Sequence, residues 1–163
     1  MAAPNGADPR PQAGGVVVGV DGSPGSLAAL RWAVREASER GQTVQAVIAW
    51  HFPVPSPVGN VATVDERHPV IAAEEILASA LVEAGVADDN AMVTTTPVEG
   101  HPAEVLMQLA ERADLLVVGS RGHGRIFGAL LGSISQYVAS RAACPVVVIT
   151  PDAVAGRRSR ARR

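Results

Sequence analysis

Short runs of branched apolar residues alternate along the chain with longer segments whose apolar residues recur every three or four positions. The first run, residues 16–20, is β-branched apart from Gly19 and is typical of a strand buried on both faces. Further candidate strands lie at residues 44–50, 92–98, 115–119 and 145–149. The pattern therefore predicts five strands.

Helical spacing of the apolar residues between these runs predicts four helices. The first begins at Pro24 behind an N-cap at Ser23, and Gly41 ends it. The second runs from about residue 70 to Gly85, and the fourth covers roughly residues 133–142. The third opens at Gly100-His101-Pro102, with expected core positions at Val105, Leu106, Leu109 and Ala113.

Alternation of strands and helices predicts an α/β fold, an open parallel five-stranded sheet with helices on both faces and a Rossmann-like architecture. Right-handed crossovers fix most of its topology. In such sheets a ligand binds beyond the carboxyl ends of the strands, where the winding direction reverses. Asp21 follows the first strand and Gly119 ends the fourth strand, so we expect both residues to face that crevice.

The segments outside these elements set the domain organisation. Residues 1–14 are rich in Pro, Gly and Ala and are expected to form a flexible arm, followed by one domain at residues 15–151. Residues 51–68 hold several prolines and are expected to be a long surface connection. Residues 152–163 are expected to form a basic disordered tail. That tail could attract nucleic acid or anionic lipid, although a solvated, solubilising tail is the preferred interpretation.

Charge is unevenly distributed, because five of the fourteen arginines lie in the last seven residues. Residues 1–156 carry nine arginines against sixteen acidic residues, a net charge of −7. An acidic body argues against a nucleic-acid-binding surface on the folded domain. No apolar run approaches the roughly 18–20 residues of a membrane span, and the N-terminus has no apolar signal core, so we expect a cytoplasmic protein.

Several classes of chemistry lack the residues they need. The chain has no lysine, which excludes a lysine nucleophile, a Schiff base and a GxxxxGK[ST] phosphate loop. Its one cysteine, Cys144, excludes an internal disulfide and is expected to be a small buried residue, with a redox-sensing thiol as the alternative. The histidines show no metal-ligand spacing. His51, His68 and His101 are expected at the surface or at caps.

The most informative segment is the loop after the fourth strand, where five glycines fall within residues 119–132. Glycines let backbone N–H groups turn toward an anion, and Gly132-Ser133 opens a helix whose free amides favour phosphate. Ser133 and Ser135 add hydroxyls, and Arg121 and Arg125 add positive charge. The alternative is that the glycines only shape a long loop. Their order differs from the dinucleotide fingerprint GxGxxG, which argues against an NAD enzyme.

At these residues the chain resembles the universal stress proteins. Gly119-x2-Gly122-x9-Gly132-Ser133 matches that family's ATP-binding pattern, G-x2-G-x9-G-(S/T), and the resemblance covers roughly residues 15–150. It includes the opening Val-Gly-Val-Asp-Gly-Ser and the closing Ala-Cys-Pro-Val-Val-Val-Ile. The resemblance implies the strand order 3-2-1-4-5 and membership of the family's ATP-binding branch.

The resemblance also implies a set of nucleotide-binding residues. Asp21 is expected near the ribose or adenine, although it could instead form an Asx-turn or cap the first helix. Gly19 and Val20 are expected to line the same pocket, and the backbone at about Ala49 is expected to meet the adenine edge. The phosphate contacts fall on Gly119, Gly122, Gly132, Ser133, Ile134 and Ser135, with Ser120, Arg121, His123, Gly124 and Arg125 as neighbours in the loop.

Three functions remain open at this point. The first is a regulatory ATP-binding module, a homodimer through the apolar last strand, in which nucleotide occupancy alters the oligomer or a partner surface. The second is an enzyme that hydrolyses ATP slowly; Asp21 is its only good candidate base, and Mg²⁺ could bridge the phosphates with few protein ligands. The third is an interaction protein that works without ATP. We expect a protein that binds ATP and is not an enzyme.

Overall fold

The computed structural model describes residues 14–51, 69–86, 92–122 and 131–150. Outside these ranges lie most of the expected N-terminal arm, all but the first residue of the expected surface connection at residues 51–68 (His68 included), the expected basic tail, and three expected site residues. Within them, strands and helices alternate as the sequence predicts. The elements are β1 (Val16–Gly19), α1 (Pro24–Arg40), β2 (Val44–Trp50), α2 (Pro69–Ala84), β3 (Val93–Glu99), α3 (Pro102–Ala110), β4 (Leu115–Gly119), α4 (Ser133–Arg141) and β5 (Val146–Ile149).

The five strands form one parallel sheet in the order β3-β2-β1-β4-β5, which confirms the predicted fold. β1 lies at the centre, where Val16 pairs with Val44 of β2 on one side and with Leu115 of β4 on the other. The chain therefore winds outward in both directions from β1. This reversal leaves a crevice at the carboxyl ends of the central strands.

Helices cover both faces of the sheet, and successive strand residues alternate between the two cores. Val16 and Val18 pack on the α1 and α2 side, whereas Val17 packs on the α3 and α4 side. Leu30 and Leu116, each 0% exposed, lie in the centres of the two cores. Because a central parallel strand is buried on both faces, its sequence is continuously apolar.

Capping residues set the helix ends. Ser23 accepts a hydrogen bond from the Ser26 amide, Pro24 is the first helical residue, and Gly41 ends α1 in the left-handed region at φ 64°. In α3, His101 Nδ1 accepts from the Ala103 amide at 3.3 Å, so this histidine is a cap as expected.

One expected core position lies outside its helix. We expected α3 to continue to Ala113, but it ends at Ala110, because the Glu111 and Arg112 amides both turn back to the Leu109 carbonyl. Ala113 is half-buried after the helix and still packs against the core.

Candidate functional site

A cavity of about 350 Å³ lies at the carboxyl end of the sheet, between the ends of β1, β2 and β4 and the first turns of α3 and α4. It occupies the place where the winding direction reverses. Its position follows from the topology, because the chain leaves β1 toward α1 on one face of the sheet and leaves β4 toward α4 on the other face.

Most of the predicted binding residues that the structure describes line this cavity. Ser120 is not among the lining residues, and His123, Gly124 and Arg125 lie outside the described ranges. The predicted residues that line it are Gly19, Val20, Asp21, Ala49, Gly119, Arg121, Gly122, Gly132, Ser133, Ile134 and Ser135.

One wall of the cavity is apolar and was not predicted as part of the site. It is built by Val47 and Ile48 of β2 and by Pro102, Val105 and Leu106 of α3. The sequence indicated Val105 and Leu106 only as core positions. Both do pack in the core, and they also close the cavity on the α3 side. An apolar wall of this kind suits an aromatic ring.

Ala49 lies at an open edge beside this wall. Pairing of β1 with β2 ends at Gly19 and Val47, and the Val20 amide donates to the Val47 carbonyl at 2.8 Å. Along a parallel strand the backbone groups of alternate residues face the same neighbour. Ala49 therefore directs its N–H and C=O toward the β1 side, where the chain has already turned away. This leaves one donor and one acceptor facing the crevice.

Asp21 connects the end of β1 to α1 through an Asx-turn. Its Oδ1 accepts from the Ser23 amide at 3.0 Å, which is the local role expected as the alternative to binding. The carboxylate also lines the cavity and lies next to the Cα of Gly122, where its Oδ2 occupies the space that a Cβ on Gly122 would need. The structure thus places Asp21 in a turn and at the cavity wall together.

Gly119 is required by packing. A Cβ at Gly119 would lie 2.6 Å from the carbonyl carbon of Gly25, and a Cβ at Gly25 would lie 2.6 Å from the Arg121 carbonyl oxygen. The N-terminus of α1 and the loop after β4 are therefore in backbone contact. This close approach accounts for Gly119 without any ligand.

The first turn of α4 presents backbone donors to the cavity. Gly132 is the N-cap, and its own amide donates to the Ser120 carbonyl at 2.7 Å. The amides of Ser133, Ile134 and Ser135 have no hydrogen-bond partner in the part of the chain that the structure describes. Free amides at a helix N-terminus, with the positive end of the helix dipole, favour an anion. The Arg121 side chain is exposed at the same rim.

Ser120 lies behind the cavity and is 2% exposed. Its amide donates to the Ile149 carbonyl at 2.7 Å, so the end of β5 is attached directly to the loop after β4. Its carbonyl accepts from the Gly132 amide and from Ser135 Oγ. Ser120 is therefore a junction of β4, β5 and α4.

Cys144 is remote from this chemistry, since it does not line the cavity. It is half-buried before β5 and packs against the α3 and α4 core. Burial raises the pKa of its thiol, and the negative charge of Asp114 raises that pKa further. A hydrogen bond with the Leu116 backbone lowers the pKa, but by less than the rise. A raised pKa disfavours the reactive thiolate and fits the expected packing role.

Two kinds of feature are missing from the described ranges. No helix in them is long and apolar enough to cross a membrane. They also contain no group of three or more His, Cys, Asp or Glu side chains that could hold a metal ion. In the cavity wall Asp21 is the one carboxylate that these ranges supply.

The sequence is similar to proteins of one family over nearly all of the domain. The model of the universal stress protein family matches residues 14–150. Universal stress protein Rv2623 of Mycobacterium tuberculosis strain H37Rv is 39% identical over 140 residues, covering 86% of this chain and 46% of that protein. Universal stress protein Mb2028c of Mycobacterium bovis is 37% identical over 151 residues, covering 88% of this chain and 50% of that protein. The chain spans about half the length of these relatives.

Solved structures of the same family share the fold. A universal stress protein in complex with cAMP is 33% identical with a TM-score of 0.59, covering 83% of this chain and 95% of that one. The Archaeoglobus fulgidus universal stress protein in complex with dAMP is 26% identical with a TM-score of 0.57, and the match covers 83% of this chain and 96% of that one. The universal stress protein UspA of Lactobacillus plantarum shares the fold. It is 21% identical with a TM-score of 0.67, and the match covers 86% of this chain and 99% of that one. By its sequence, its strand order and these matches, the chain belongs to the universal stress protein family.

Proposed function

We propose that this chain binds an adenine nucleotide in the crevice and that the nucleotide is ATP. One observation carries the proposal: a single cavity joins an apolar wall with an open backbone edge at Ala49 to the free amides of α4. An adenine ring needs a flat apolar contact and one donor–acceptor pair, and phosphates need N–H groups. The cAMP and dAMP complexes of similar proteins support the class of ligand, and the glycine pattern supports ATP.

The proposed role is regulatory. ATP can shift an assembly only by binding one state better than another, so the site must communicate with a surface. β5 pairs with β4 on one side and has no strand on its other side within the described chain. We propose that a second copy pairs along this edge, and that the attachment of Ile149 to Ser120 makes the edge sensitive to the nucleotide loop.

We further propose binding without efficient turnover. Hydrolysis needs a group that positions water, and the carboxylate available in the described cavity wall, Asp21, is engaged in its turn with Ser23. Mg²⁺ fits this site as an ion carried mainly by the phosphates, with Asp21 as the nearby carboxylate and water as the other ligands. Phosphate release from ATP, compared between the wild-type protein and Asp21→Asn, tests this part. Rapid release that depends on Asp21 would make the protein an enzyme.

Calorimetric titration with ATP, ADP, AMP and cAMP tests the binding proposal, with Gly132→Ala as the decisive variant. Among the described residues, and apart from its chain neighbours, the nearest atom to a Cβ at Gly132 would be the Ser120 carbonyl oxygen at 3.5 Å, and the backbone angle φ of −73° suits alanine. The added methyl group therefore obstructs a ligand and leaves the unliganded fold intact. We expect Gly132→Ala to weaken ATP binding at least about tenfold, a change of about 1.4 kcal/mol.

Gly41→Ala is the matched control for this experiment. Gly41 does not line the cavity, and a Cβ on it would meet no atom of the described residues beyond its chain neighbours within 4 Å, but its φ of 64° makes alanine strained. This variant should lose stability and keep the wild-type affinity. Equal affinities for wild type and Gly132→Ala would refute the assignment of the loop. Mass spectrometry of the denatured purified protein would identify a copurifying nucleotide and separate ATP from the other adenine nucleotides.

A further inference from the structure

Four buried serines surround the base of the crevice. Ser23, Ser26, Ser120 and Ser135, each at most 4% exposed, are the buried polar residues of the described chain. They lie where the start of α1, the loop after β4 and the first turn of α4 come together. A buried hydroxyl must find a hydrogen-bond partner, so the partners of these serines reveal what each hydroxyl does.

The Ser135 hydroxyl is used inside the protein. Ser135 is 3% exposed, and its Oγ lies 2.9 Å from the Ser120 carbonyl oxygen and 3.0 Å from that of Gly132. A serine hydroxyl has one proton to donate, and both neighbours are acceptors. Whichever of the two carbonyl oxygens accepts, the hydroxyl proton is used in a hydrogen bond to the backbone. Ser133, two residues earlier, is exposed at the cavity rim and offers a contrast.

Two groups at the start of α4 donate to the Ser120 carbonyl: the amide of the N-cap Gly132, at 2.7 Å, and the hydroxyl of Ser135. The peptide unit is planar and trans, so the Arg121 N–H points opposite to the Ser120 carbonyl. The next carbonyl, that of Arg121, accepts from Ser23 Oγ at 3.4 Å, which orients the Gly122 N–H in the same way. Serines on α4 and before α1 thus set the directions of two successive amides in the loop.

We propose that Ser135 is a positioning residue of the crevice, whose hydroxyl fixes the Ser120 carbonyl and with it the Arg121 amide, and does not contact the bound nucleotide. This proposal rests on the proposed nucleotide binding. The family resemblance implies a phosphate contact at Ser135, and the backbone amide of Ser135 stays available for it. A loop whose amides are already oriented loses less conformational entropy on binding, so the hydroxyl acts before the ligand arrives.

Amide hydrogen exchange of the unliganded protein, measured residue by residue by NMR, tests the proposal together with ATP and AMP titrations. Ser135→Ala removes the hydroxyl and suits a helix, so the variant should fold. We expect the Gly132 amide to exchange about fivefold faster without nucleotide, and ATP affinity to fall by about the same factor. Ser135→Thr, which retains the hydroxyl, should restore both values toward wild type.

Ser133→Ala is the matched control, since it removes an exposed hydroxyl from the same turn and should leave exchange unchanged. Weaker ATP binding by Ser135→Ala with unchanged exchange in the unliganded protein would make the hydroxyl a direct ligand and overturn the proposal. Unchanged values in both measurements would also overturn it. A wild-type chain that bound neither ATP nor AMP would overturn the proposed function instead, and the exchange data would still decide whether Ser135 fixes the loop.

Discussion

Gly119 and Gly25 are in direct backbone contact: a Cβ on Gly119 would lie 2.6 Å from the Gly25 carbonyl carbon and 2.8 Å from its oxygen. The end of β4 and the first turn of α1 therefore meet with no side chain between them. This contact brings the Asp21 turn against the loop after β4, so that both chain segments reach the same cavity.

Gly119→Ala should destabilise the fold through this contact. The neighbouring atoms are backbone and cannot rotate away, so the added methyl group must displace α1 from β4. We expect a loss of about 3 kcal/mol in the free energy of unfolding, the upper part of the usual range for overpacking. Urea denaturation monitored by circular dichroism measures it. Gly132→Ala is the control and should change stability by less than about 0.5 kcal/mol, because its methyl group meets ordinary contact distances. Equal stabilities of the two variants would contradict the close approach.

Ser23→Ala should weaken α1 at its first turn. The Ser23 hydroxyl accepts from the Ser26 amide at 3.2 Å, and alanine leaves that buried donor without its cap. We expect a loss of about 1–2 kcal/mol in thermal or urea unfolding. Ser38→Ala lies in the exposed last turn of the same helix and should have no measurable cost. A Ser23→Ala protein as stable as Ser38→Ala would show that the cap contributes nothing.

Proline substitutions in β5 test the proposed pairing of two copies. The Leu116 amide donates to Pro145 and the Ser120 amide donates to Ile149, so alternate residues of β5, including 147, face β4. Val148 then directs its N–H to the open edge. Val148→Pro removes that outward donor, which an edge strand tolerates, and should yield a monomer of near wild-type stability in analytical ultracentrifugation.

The companion variant Val147→Pro separates assembly from folding. It removes a bond of the β4–β5 ladder and should cost at least about 2 kcal/mol of stability. A Val148→Pro protein that sediments as a dimer would rule out pairing along β5. Sedimentation of the wild-type protein with and without ATP then shows whether the nucleotide shifts the assembly.

Alkylation of Cys144 should report its raised pKa. Burial and the charge of Asp114 hold the thiol protonated, so the pH midpoint of its reaction with iodoacetamide should lie above the ordinary value of about 8.5. The same chain unfolded in urea should react with the ordinary midpoint. Because its pKa is raised by folding, the thiol holds its proton more tightly in the folded state than in the unfolded state. The contribution of this proton to the free energy of unfolding is therefore complete below about pH 8.5 and is lost as the pH rises through the folded pKa. Identical midpoints for folded and unfolded protein would contradict this prediction.

Local sequence patterns were sufficient for the elements and their order. Ser23 and Pro24 fix the start of α1, Gly41 fixes its end, and the apolar run at residues 115–119 marks a strand buried on both faces. These features depend on neighbours within one turn or one strand. The end of α3 was misjudged because Ala113 is apolar at helical spacing but is buried after the helix has ended.

The ligand crevice could be located from the sequence, because parallel topology fixes where it lies and the glycines cluster there. Individual roles could not be assigned in that way. Gly119 was predicted as a phosphate contact, which stays a prediction, and its close packing against Gly25 is a separate requirement for glycine that the sequence did not show. Ser135 was predicted as a hydroxyl donor to phosphate, and its Oγ lies within hydrogen-bond distance of the Ser120 and Gly132 carbonyl oxygens, which no sequence pattern indicated.

The sequence by itself determined which segments form strands and helices, which residues are buried, and which end of the sheet holds the cavity, because these depend on short-range periodicity and on the handedness of crossovers. Tertiary structure alone decided that Ala49 faces an open edge, that α3 supplies three of the five residues of the apolar wall, and that Ile149 is attached to Ser120. Each of these joins residues far apart in the chain, and such contacts are set by how whole elements pack.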